Sequence, residues 1–144
     1  MTPDVNVLVA ASRSDHPHHA IAHAWVERAL AAADSGAGFT LMPMVLASLL
    51  RAVTSPKIFQ VPTPIADAVA FVDAMLAVPG VRLAALGPEW PLLRKLCIDK
   101  QLHGNDLPDA WLSAAVEHMG EHLVSFDRDF KKLLGRARLT LLSP

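Results

Sequence analysis

The sequence predicts an α/β fold, a single domain over residues 1–144 with a mostly parallel central sheet flanked by helices. Three observations carry that expectation. Short apolar runs alternate with helical stretches along the chain. A length of 144 residues suits one domain with its own core. Hydrophobic residues make up 52% and charged residues 19%, which excludes a disordered chain.

The elements follow in order. Val5 to Ala11 is nearly continuous in apolar residues and reads as a strand buried on both faces. Asp15 and Pro17 mark a helix start; Ile21, Trp25, Ala29 and Ala32 line one face as far as Asp34, and the run from Ser35 to Gly38 stops it. Phe39 to Met42 is a second strand. Pro43 opens a helix with Leu46, Leu50 and Val53 on one face, ended by Ser55 and Pro56. Thr63 and Pro64 read as a cap and first helical residue ahead of Ile65, Val69, Val72 and Leu76. Val81 to Leu86 is a third strand, and a helix with Leu93, Leu96 and Cys97 follows Gly87 and Pro88. From about Leu107 a helix turns Leu112, Ala115, Val116 and Met119 inward and stops at Gly120. His122 to Phe126 is a fourth strand, Asp127 to Leu134 a helical turn, and Arg138 to Leu142 a last strand.

Composition narrows the chemistry. One cysteine, Cys97, excludes a disulfide framework and a cysteine-rich zinc site. Thirteen basic and 14 acidic residues give a net charge of -1, so nucleic acid would meet a local patch and not a global basic excess. Arg128, Lys131, Lys132, Arg136 and Arg138 form such a patch. No run is long enough to span a membrane, and the opening residues lack a signal-peptide pattern, so a cytoplasmic protein is expected.

Acidic residues mark the candidate site. In open α/β sheets, sites form beyond the carboxyl ends of strands. Asp4 and Asn6 bracket the first strand's start, and Asp127 and Asp129 follow the fourth. Asp106 and Asp109 open the helix before it. Asp4 reads either as a solvated terminus or as a ligand for a hard cation. Asp106 reads first as an N-cap. Asp109 shares the inward stripe of Leu112 and Val116, and a carboxylate there needs a partner. Asp127 and Asp129 also suit a turn.

With these residues in place the chain resembles the PIN-domain ribonucleases, and more narrowly the VapC-type toxins of bacterial toxin–antitoxin pairs. Four segments carry the likeness in the family's order: Asp4 to Leu8, Leu50 to Phe59, Gly104 to Ala115, and Ser125 to Phe130. The resemblance implies a single PIN-like domain that hydrolyses RNA phosphodiesters with Mg²⁺ or Mn²⁺. By position it implies Asp4, Asp109 and Asp127 as catalytic metal ligands, with Asp129 and Asp106 as accessory acids and Asn6 and Ser125 in support. Arg51, Arg128, Lys131 and Lys132 would hold RNA phosphates. It further implies a homodimer and a cognate antitoxin, with Leu46, Leu50, Ile65 and Val69 as candidate groove residues.

One position departs. The family carries a glutamate three residues before Arg51, and this chain has Ser48 there, with no acid between Asp34 and Asp67. An alternative is therefore a catalytically weak PIN-like module that binds RNA or antitoxin without cutting. An aspartyl-phosphate phosphatase is opposed by Asn6, which stands where a second acid is needed. His16, His18, His19 and His23 crowd the entry to one helix without an evident third zinc ligand, and Trp25, Trp90 and Trp111 read as core or interface.

Overall fold

The computed structural model describes residues 1–144. In chain order it runs β1 (Thr2–Pro3), α1 (Val5–Ser12), α2 (His19–Asp34), β2 (Phe39–Leu41), α3 (Pro43–Val53), α4 (Ile65–Leu76), β3 (Val81–Leu83), α5 (Trp90–Asp99), α6 (Asp106–His118), β4 (Leu123–Ser125) and β5 (Leu139–Leu141). A 3-10 turn over Arg128–Lys132 and another over Arg136–Arg138 connect the last strands.

All strand pairs are parallel. β4 lies between β1 and β5, with Pro3 opposite Val124 and Ser125 opposite Leu141. β2 pairs with β3 as a second sheet. The Thr40 N–H donates to the Met1 carbonyl at 2.9 Å and joins the two, so the strands run β3-β2-β1-β4-β5. The α/β expectation holds, with helices flanking short parallel strands.

The largest departure lies at the start. Val5 to Ala11, expected as a strand, is helix α1, and β1 is confined to Thr2–Pro3. A short apolar run cannot be assigned by hydrophobicity alone. The fully buried positions Val7, Leu8, Ala10 and Ala11 follow helical spacing, and Asp4 accepts the Val5 N–H at 2.7 Å as N-cap. The other differences are local. α2 begins at His19 rather than at Pro17, because a turn closes first from His19 N–H to the His16 carbonyl, 3.0 Å. Pro64 is the N-cap of α4, and the Thr63 hydroxyl accepts a hydrogen bond from Arg13 at 3.0 Å instead of capping. Asp106 is already helical, with Asn105 at the N-cap; its carboxylate accepts the His103 N–H at 3.2 Å.

The main core joins α1, β2, α3, β4 and one face of α6 through Leu8, Phe39, Leu41, Leu49, Val116 and Val124. The other face of α6 gives Ala110 and Ala114 to a smaller cluster with Leu93 of α5. Each large side chain fully buried contributes roughly 1.5–3 kcal/mol. Held on two sides, α6 is a rigid carrier for a residue in its first turn. Phe130, 1% exposed, anchors the 3-10 turn in the same core.

Candidate active site

Three elements bring acids to one edge. Asp4 follows β1, Asp127 lies two residues past the end of β4, and Asp109 sits in the first turn of α6. Because β1 ends at Pro3, Asp4 lies at a strand's carboxyl end, where parallel sheets build sites.

Asp4 is buried at 4% exposure. Its backbone N–H donates to the Val124 carbonyl at 2.9 Å. One carboxylate oxygen takes the Val5 N–H at 2.7 Å, and the other takes the Ser125 hydroxyl at 2.8 Å. Ser125 in turn accepts the Asn6 amide at 3.1 Å and the Asp127 N–H at 2.9 Å. Asn6 accepts the Phe126 N–H at 3.3 Å. This network ties the end of β4 to the start of α1 through Ser125 and Asn6.

Burial pushes the Asp4 carboxyl up; hydrogen bonds from Ser125 and Val5 oppose it, and the Asp127 charge adds to it, leaving its pKa above the ordinary value. Asp109 is pushed further, to about 6, by burial first and then by the charges of Asp4, Asp127, Asp129 and Asp106. The same acids the sequence singled out are therefore the neighbours that Asp109 feels. Asp127 also serves the turn, accepting the Asp129 N–H at 2.8 Å, and Asp129 faces Lys132 at 3.8 Å.

Asp106, Asp109 and Asp129 line a cleft of about 640 Å³ with Lys100, Asn105 and Lys132. The donor set is all oxygen, carries several negative charges and is partly desolvated. That chemistry fits a hard divalent cation such as Mg²⁺ or Mn²⁺, which relieves the repulsion. The carboxylates converge without closing: no three His, Cys, Asp or Glu side chains form a tight ligand cluster. Ser48 is half-buried on α3, which packs against α1 and α6.

Arg51 is exposed on the last turn of α3, and Arg128, Lys131 and Lys132 are exposed around the 3-10 turn. Leu46 belongs to the core at 8% exposure, whereas Ile65 and Val69 are open at 59% and 40%. Trp25 is buried in the core, and Trp90 and Trp111 are exposed.

Two charged residues went unread in the sequence. Glu89, 1% exposed, accepts the Trp111 indole N–H at 2.7 Å and the Gly87 N–H at 2.8 Å. Burial works to raise its pKa, but these hydrogen bonds outweigh it and hold the carboxyl below the usual range. Arg13 is also buried, paired with Asp15 and bonded to Thr63 and the Val61 carbonyl beneath Phe59. Neither lies in a local pattern that would have announced it.

A PIN domain family model matches residues 1–134. Ribonuclease VapC25 of Mycobacterium tuberculosis is 48% identical over 131 residues, covering 90% of this chain and 89% of that protein. Ribonuclease VapC31 of the same species is 45% identical over 132 residues, covering 90% and 89%. A crystal structure of VapBC2 from Rickettsia felis bound to a promoter DNA fragment aligns with a TM-score of 0.63 at 16% identity, covering 99% of this chain and 98% of that one. Mycobacterium tuberculosis VapC20, a toxin that cleaves the sarcin-ricin loop, aligns with a TM-score of 0.63 at 18% identity, covering 99% and 98%.

Proposed function

Because this chain belongs to the PIN-domain family, we propose that it is a divalent-metal-dependent endoribonuclease, the toxin component of a toxin–antitoxin pair. The observation that carries the reading is Asp109. Its carboxyl is raised to about 6 by burial and by four neighbouring acids, at an edge that repels itself unless a cation sits there. The ribonuclease names of relatives 48% and 45% identical support RNA as the substrate.

In this reading Asp4, Asp109 and Asp127 would hold Mg²⁺ or Mn²⁺, with Asp129 and Asp106 as accessory acids. When bound, the ion polarises a phosphoryl oxygen and lowers the pKa of a water. Ser125 keeps the Asp4 carboxylate turned by its 2.8 Å hydrogen bond, and Asn6 fixes Ser125. Arg51, Arg128, Lys131 and Lys132 supply the sequence-blind hold on RNA phosphates. A cognate antitoxin is the expected partner, since a structural neighbour is a VapBC complex. The open apolar residues Ile65 and Val69 of α4 suit such a partner or a second copy in a homodimer. A cytoplasmic location fits an RNA substrate, and no helix is long and apolar enough to cross a membrane.

Ser48 and the unclosed ligand set favour one second reading, a module that binds RNA or antitoxin with little or no cutting. Cleavage assays separate the two. Metal-dependent RNA cleavage lost in Asp4→Ala and Asp109→Ala at unchanged fold supports the nuclease. Cleavage that survives both substitutions contradicts it.

A further inference from the structure

The 3-10 turn after Asp127 is a ridge between two cavities. Side chains three apart eclipse in such a turn. Asp129 and Lys132 face the acidic cleft, whereas Arg128 and Lys131 face a second cavity of about 420 Å³. The second cavity is lined by His18 and Phe126, by Leu141 and Leu142, and by Ser143 and Pro144, with no acidic side chain among them. His18 and Phe126 stack with ring centroids 5.0 Å apart and planes 26° off parallel. His18 stands at the N-cap of α2, yet its side chain makes no cap hydrogen bond. Phe126 directly precedes Asp127. Lys132 is paired with Asp129 at 3.8 Å, but neither Arg128 nor Lys131 has an acidic partner.

We propose that this cavity is a nucleotide subsite next to the acidic edge: a base of single-stranded RNA stacks on the His18–Phe126 pair while Arg128 and Lys131 hold its flanking phosphates. Two cations with no acidic side chain paired to them favour an anion, and a stacked aromatic pair offers a plane for a base. Stacking tolerates any base, so the subsite fixes register along a single strand more than sequence. The ridge makes this useful. A nucleotide held on one side of the turn brings the next phosphate across to Asp129 and the acidic cleft on the other.

The inference rests on the RNA reading, and its test separates the two. Fluorescence anisotropy in EDTA compares a deca-adenylate RNA with a decamer of abasic tetrahydrofuran phosphates. The wild type is expected to bind deca-adenylate more tightly than the abasic decamer. His18→Ala should weaken deca-adenylate binding roughly tenfold, the scale of one lost stack, and leave the abasic decamer unchanged. His18→Phe, which keeps a ring there, should restore binding. Arg128→Ala should weaken both probes. Equal wild-type affinity for the two probes, or an unchanged His18→Ala, overturns the subsite while leaving the nuclease reading intact. A folded wild type that binds neither probe overturns the RNA reading and the subsite with it.

Discussion

At Asp109 burial and four acidic neighbours act in one direction and push the carboxyl up to about 6. A folded-state pKa raised above the unfolded value means the folded protein holds the proton more tightly. The stability this gives is complete below about pH 4 and is lost as pH rises through about 6. At neutral pH without metal the ionised Asp109 therefore weakens the fold. Asp109→Asn should stabilise the metal-free protein at pH 7 by on the order of 1 kcal/mol, after allowance for solvent screening at a half-exposed group. The gain should shrink near about pH 4. Thermal melts in EDTA at both pH values check this; equal destabilisation at both would contradict it. That Asp4, Asp109 and Asp127 stand out was legible because each has a fixed place in a motif, and the fold brings the three to one edge. Glu89 and Arg13 were not, because their local partners Gly87 and Asp15 give no sign of burial, and Trp111 and Thr63, which complete their hydrogen bonding, lie far along the chain.

The elements whose punctuation was strong were readable. Pro43 opens α3, and Gly120 closes α6 at a φ of 66°. Helix α1 was misread because hydrophobicity all round it hides the period that separates strand from helix. The correction strengthens the site, since ending β1 at Pro3 puts Asp4 at the strand's carboxyl end and gives it the Val5 N–H to hold. Gly80, at the entry to β3, is a stricter constraint than its place in a Pro-Gly turn suggests. Its φ is 88°, and a Cβ there would lie 2.2 Å from the Ala33 carbonyl oxygen. Gly80→Ala must push β3 away from the end of α2, so a loss of more than about 1 kcal/mol is expected in urea unfolding. An unchanged midpoint would show that this contact yields freely.

Across the whole molecule, alternation of strands and helices was enough for the α/β class and for parallel pairing, since the crossovers carry helices, with 3-10 turns in that place between β4 and β5. The order β3-β2-β1-β4-β5 was not readable, because strands of two or three residues have no pattern that names their neighbours. The site follows from that order. Pairing β1 with β4 puts Asp4 beside Ser125 and Asp127, and α6, locked between two clusters, adds Asp109. The central claim is that these carboxylates form one cation site even with Ser48 in place of the family's glutamate. The most direct measurement is calorimetric titration of Mn²⁺ into the wild type and Asp109→Asn, above and below pH 6. The account predicts binding to the wild type that weakens as pH falls through about 6, because the ion must displace the Asp109 proton, and loss of binding in the variant. Absence of binding in the wild type, or binding that the variant retains unchanged, would contradict it.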